Sequence, residues 1–170
     1  MTGFIAMRLT LMRHGTAEGS HPSGEDAWRE LVGQGQREAR DAGWYCRRQG
    51  WVPSVVLASP YRRTLETARL FCEEGGFDPP VEQSFLASGM SVEEAIDGLR
   101  GYLDLERVVI VGHQPDLGEL ICFLTGLPRV EVSVGKGSLR ELELDTLEEG
   151  QARQIYALTA REIHEARSRG

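Results

Sequence analysis

Three short apolar runs constrain this chain more than any other feature: "RLTLM" from Arg8 to Met12, "SVVLA" from Ser54 to Ala58 and "RVVIV" from Arg107 to Val111. Each has the length of a buried strand, and none alternates cleanly between apolar and polar. Near-continuous apolar runs need cover on both faces, which a parallel sheet flanked by helices supplies. The intervening stretches read as helices. Glu25 to Arg48 is helical in pattern but glycine-rich, and a break is expected before Gly35. Tyr61 to Glu74 is a better helix, ended by Gly75-Gly76. Ser91 to Leu103 opens on "SVEE", in which Ser91 caps and Glu94 reaches back. Asp116 to Leu124 follows Pro115, a favoured first-turn residue. Beyond Pro128, "SLRELEL" (Ser138 to Leu144) and "RQIYAL" (Arg153 to Leu158) alternate as strands do. The expected fold is therefore α/β, a three-layer sandwich with a mainly parallel central sheet and helices on both faces. The 170 residues suit one domain. Residues 1–6, "MTGFIA", precede a second methionine and read as a leader from an alternative start. Residues 159–170 read as a short helix or a frayed tail, whose His164 has no neighbours of interest.

Ligands in such folds bind beyond the carboxyl ends of the strands. Directly after the three runs come Arg13-His14-Gly15, then Ser59-Pro60-Tyr61-Arg62-Arg63, then Gly112-His113-Gln114-Pro115. Parallel strands bring all three groups to one edge. Two histidines and several arginines, with no carboxylate cluster, point to an anion site. Arginine forks match phosphate oxygens and keep their charge. A neutral imidazole can attack phosphorus and carry the phosphoryl group covalently. A second imidazole, if protonated, can bind an oxygen or donate to the leaving group. Gly15 lets the backbone pass close to a ligand and offer its N–H. The helix that opens at Pro115 would bring a partial positive charge near His113.

The ordered trio "LMRHG", "SPYRRTLETA" and "VGHQPDL" resembles the histidine phosphatase superfamily, the Arg-His-Gly group that includes the cofactor-dependent phosphoglycerate mutases. The resemblance spans roughly Leu11 to Leu117 and implies a phosphoglycerate mutase-like fold. It implies His14 as the nucleophile and Arg13 on the phosphate. In the family's second motif an arginine lies four positions after the serine, which is Arg63 rather than Arg62. Thr64 and Glu66 depart from that motif's alanine and glutamine. The third motif supplies His113. Mutases and sugar phosphatases of the group carry a long insertion that holds an acidic proton donor; here the interval from Phe71 to Arg107 is short. That looks like the short, SixA-like phosphohistidine phosphatase branch. Its Arg-Pro-Leu-Thr-x-x-Gly segment is matched by "RELVGQG" at Arg29, Leu31 and Gly35, so the resemblance implies that Arg29 reaches the phosphate too.

The short interval agrees with a chemical argument. An alkoxide leaving group needs a positioned acid, worth roughly 10²–10⁴-fold. A phosphohistidine leaves as imidazole, which protonates easily. The expected activity is a metal-independent hydrolase, without a cofactor, that takes phosphate from a phosphohistidine on a protein such as a phosphorelay domain. A small phosphomonoester, sugar phosphate or nucleotide, is the first alternative. A non-catalytic phosphate-binding module is the second, although such modules lose the nucleophile or an arginine and this chain keeps all four residues.

Composition narrows the partners. The formal net charge is −7, with Lys136 the only lysine, which disfavours nucleic acid and anionic membranes. Cys46, Cys72 and Cys122 form no CxxC pair and read as reduced thiols of a cytoplasmic protein. No run of about 18 apolar residues is present. Several residues read as structural: Ser59 as a helix cap, Arg62 as a surface arginine, Glu93 as a solvated helix face, and His21 as a solvent-exposed loop residue. "VGKGS" superficially resembles a phosphate loop but lacks the Walker spacing, so Lys136 reads as a turn residue.

Overall fold

The computed structural model describes residues 5–170. The first apolar run becomes β1 (Met7–Arg13), the second β2 (Val55–Ala58) and the third β4 (Arg107–Gly112). A two-residue β3 (Val81–Glu82) lies at one edge, and β5 (Leu139–Leu144) and β6 (Arg153–Leu158) complete a six-stranded sheet of order β3-β2-β4-β1-β5-β6. The first four strands of that order pair in parallel; β5 and β6 are antiparallel to their neighbours. The helices are α1 (Gly33–Gln49), α2 (Arg62–Gly75), α3 (Val92–Leu99), α4 (Asp116–Thr125) and α5 (Ala160–Arg169).

The pleat sorts the apolar runs onto two faces. Leu9, Leu11, Val108 and Ile110 pack with Leu99 of α3 and Leu117, Leu120 and Ile121 of α4. Met12, Val109 and Val111 pack with Ala42 of α1, Phe71 of α2 and Ile163 of α5. Both faces are thus covered, which gives the three layers. Apart from Ala42, each of these side chains contributes about 1.5–3 kcal/mol by leaving water.

Three elements sharpen the sequence reading. The break expected in Glu25–Arg48 is present: residues 26–28 form one 3-10 turn, Arg29 follows it outside any helix, and α1 starts at Gly33. The helix from Ser91 keeps its capping box but gives way to a 3-10 turn at Arg100–Tyr102. The tail takes the short-helix form of the two expected. It forms α5, seated by Ile163 and by His164 Nδ1 and Arg167 Nη1, which lie 2.7 and 3.2 Å from the carboxylate of Asp41 on α1. His164 therefore has a definite partner. The proposed leader falls largely outside the described residues. Among those described, no helix is long and apolar enough to cross a membrane.

The sheet sets the strand ends side by side. The His14 amide donates to the Gly112 carbonyl at 3.1 Å, and the Ser59 amide to the Val111 carbonyl at 3.1 Å. The three groups after β1, β2 and β4 thereby share one edge.

Candidate active site

At that edge His14, Arg63 and His113 are all buried, with 6%, 4% and 2% of their surface exposed. The two imidazole centroids are 5.6 Å apart. His14 Nδ1 lies 2.7 Å from the Gly15 carbonyl. A carbonyl only accepts, so Nδ1 carries the proton and Nε2 the lone pair. Arg63 Nε donates to that Nε2 at 3.3 Å, and Arg63 Nη2 lies 3.4 Å from His113 Nδ1. His113 is set from its other side, where Nε2 is 2.7 Å from Ser59 Oγ. With Arg63 donating to Nδ1, Nε2 is the protonated nitrogen and Ser59 accepts. Tyr61 packs edge-on against the His113 ring at 4.9 Å.

Electrostatics hold both rings neutral in the unliganded pocket. Burial, then Arg63, Arg13 and Arg29, push His14 down to about 4, although its bond to Gly15 opposes this. Burial, Arg63 and His14 push His113 down to about 3. The nucleophile-grade imidazole needs no deprotonation at neutral pH. A cationic His113 would require an anion in the pocket to offset these arginines.

The remaining cations approach from separate elements. Arg13 Nη1 donates to the Val134 carbonyl at 3.1 Å, while its buried Nε has no hydrogen-bond partner among the described residues. Burial and the nearby Arg63 lower its pKa. Arg29 Nε donates to the Glu18 carbonyl at 2.7 Å and Nη1 to Asp26 Oδ1 at 2.7 Å. Arg63 donates to Asp26 twice, from Nη1 to the carbonyl at 2.8 Å and from Nη2 to Oδ2 at 3.0 Å. Its Nε and the other Nη2 N–H face the two histidines.

The family model of the histidine phosphatase superfamily (branch 1) matches residues 9–87, the stretch that contains Arg13, His14, Arg29 and Arg63. Over that stretch the chain is similar to the histidine phosphatase superfamily. It is 39% identical over 70 residues to a 2,3-bisphosphoglycerate-dependent phosphoglycerate mutase of Parvibaculum lavamentivorans, a match covering 40% of this chain and 33% of the mutase. The chain thus spans about a third of that relative's length. Among solved structures it is similar to the protein histidine phosphatase SixA complexed with tungstate, with a TM-score of 0.83, 20% identity and coverage of 92% of this chain and 99% of the other. It is similar also to the α-ribazole phosphatase of Shigella flexneri, with a TM-score of 0.67, 19% identity and coverage of 91% and 97%. These likenesses establish a shared phosphoglycerate mutase-like fold.

Within this candidate site, two residues take roles other than those expected. Gly15 does not offer its N–H to a ligand, because it donates to Thr67 Oγ1 at 3.1 Å. Its lack of a side chain serves α1: a Cβ on Gly15 would stand 2.5 Å from the Gly35 carbonyl oxygen, and one on Gly35 would stand 2.0 Å from that of Thr16. Ser59 is not a helix cap. Tyr61 precedes α2, and the Ser59 hydroxyl serves His113 and the Tyr61 amide instead. The start of α4 is also occupied, since Gln114 Oε1 accepts from the Gly118 amide at 2.8 Å and Asp116 Oδ2 from the amides of Gly89 and Met90. Arg62 faces outward to Glu30 and Glu66, Lys136 lies in a turn, and His21 closes its own loop onto Ser23. The residue missed by sequence reading is Asp26. Its signal was an acid three positions before Arg29, a spacing that meets across one helical turn.

Proposed function

We propose that the chain is a phosphatase working through a phosphohistidine on His14, with a protein phosphohistidine as substrate. The observation that carries this reading is the single guanidinium of Arg63 between the ring nitrogens of His14 and His113. His14 Nε2 attacks phosphorus in line, forming an N–P bond as the bond to the leaving group breaks on the far side. Arg63, Arg13 and Arg29 neutralise the phosphoryl oxygens, preorganised charge of the kind that dominates phosphoryl transfer. The bound dianion offsets the arginines around His113, which then takes a proton and clamps an oxygen or passes that proton to the departing group. Water next attacks phospho-His14, the N–P bond breaks, and inorganic phosphate leaves with His14 restored.

The phosphohistidine preference is supported by the supply of protons. Among the described residues Asp26 is the only carboxylate contacting Arg63 or either imidazole, and its bonds to Arg29 and Arg63 hold it below the usual carboxylate range. A group that stays ionised is a poor acid for an alkoxide. An imidazole leaving group has no such need. The interval between β3 and β4 supports the same reading, since its only α-helix is the eight-residue α3. Small phosphomonoesters form the second reading, favoured by the recurrence of this fold in the α-ribazole phosphatase. Phosphoramidate and a phosphohistidine protein, assayed beside alkyl and sugar phosphates, separate the two. A higher kcat/KM on the N–P substrates supports the proposal; a clear preference for alkyl phosphomonoesters overturns the substrate assignment.

A further inference from the structure

One carboxylate, that of Asp26, holds two arginines of the site at 2.7 Å (Arg29) and 3.0 Å (Arg63). A phosphate in the pocket would draw on the same two cations. Neither arginine depends on the carboxylate for its position. Arg63 Nη1 is anchored on the backbone carbonyl of residue 26 at 2.8 Å, and Arg29 Nε on that of Glu18 at 2.7 Å. Both anchors survive a side-chain change at position 26. The Asp26 side chain is 54% exposed on a three-residue turn, so it buries no core. What it alone contributes is a negative charge beside the anion site. Arg13, Arg29 and Arg63 carry three positive charges; with Asp26 the group carries two, the magnitude of a phosphate dianion.

We infer that Asp26 is a resident counter-anion, a positioning residue for charge that keeps the pocket from holding inorganic phosphate too tightly and so speeds product release. The inference rests on the phosphatase reading above. A pocket with an unopposed third charge would bind substrate and product alike more strongly. Uniform tightening lowers KM without raising kcat, and slow release then limits turnover.

The test measures the dissociation constant of inorganic phosphate by calorimetry for the wild-type protein and for Asp26→Asn, Asp26→Ala and Asp26→Glu, with kcat and KM on phosphoramidate alongside. Loss of one charge beside a partly exposed site is expected to tighten phosphate binding about tenfold in the Asn and Ala variants. KM falls with it and kcat falls or is unchanged, whereas Asp26→Glu, which keeps the charge, stays within about threefold of wild type. A carboxylate that merely held the arginines in place would give the opposite sign, weaker phosphate binding and a raised KM. Unchanged or weaker phosphate binding in the Asn and Ala variants overturns this inference alone. A wild-type protein that binds no phosphate overturns the phosphatase reading and this inference with it.

Discussion

Arg63 Nε donates to His14 Nε2 across 3.3 Å, and the same guanidinium reaches His113 at 3.4 Å. The bond fixes a lone pair on the atom proposed as nucleophile and places a permanent cation where the attacked phosphoryl group gathers charge. Replacing Arg63 by Ala should lower kcat/KM about 10²–10³-fold. Lysine, a point charge without a fork, should recover only a small part of this, because one ammonium cannot serve both rings and Asp26 together. Steady-state kinetics of both variants on phosphoramidate check the claim; a lysine variant with near wild-type activity contradicts it.

Both site histidines should make the fold acid-sensitive. Their folded values, about 4 and about 3, lie below the ordinary 6.5. As pH falls from 6.5 toward 4, the unfolded chain takes protons that the folded pocket refuses, so stability declines. Above 6.5 both states are neutral at these rings and the effect vanishes. The slope approaches about 1.4 kcal/mol per pH unit for each histidine. Urea unfolding at pH 7, 6 and 5 should show this decline, and added phosphate should reduce it.

Activity should keep its nucleophile down to low pH. With His14 near 4 in the free enzyme, the acidic limb of kcat/KM should appear well below the 6.5 of an ordinary histidine. A limb close to 6.5, measured on a substrate that does not itself titrate there, would mean that the ring is not held neutral as described.

The Arg-His-Gly loop should be intolerant of added carbon beneath it. Gly35→Ala places a Cβ 2.0 Å from the Thr16 carbonyl oxygen, and relief means moving the loop that carries His14. A loss of about 1–3 kcal/mol is expected from such overpacking. Thr67→Val acts from the other side by leaving the Gly15 amide without its 3.1 Å acceptor, at about 1–3 kcal/mol. Thermal unfolding measures both, and activity should fall further than stability alone requires.

The sheet was legible wherever burial was two-sided. β1, β2 and β4 each differ from the sequence reading by at most one residue at either end, because continuous apolar runs with a single solution leave little freedom. β3 was not legible: two exposed residues, Val81 and Glu82, carry no pattern, and only pairing with Leu57 and Ala58 makes them a strand. The site followed the same division. His14, Arg63 and His113 were readable because strand ends place them. The roles of Gly15, Ser59 and Asp26 were not, since each is set by a partner distant in sequence: Gly15 by Thr67 and Gly35, Ser59 by His113, Asp26 by Arg63. The partner of His164 lies 123 positions away on α1, beyond any local pattern.

Covalent labelling is the most direct test of the central claim. The protein is mixed with radiolabelled phosphoramidate, quenched in alkali, where phosphohistidine survives, and mapped by peptide. The account predicts an acid-labile phosphate on His14 that turns over to inorganic phosphate, with no label and no turnover in His14→Ala. Label on another residue, or turnover in His14→Ala above a few per cent of wild type, would contradict it.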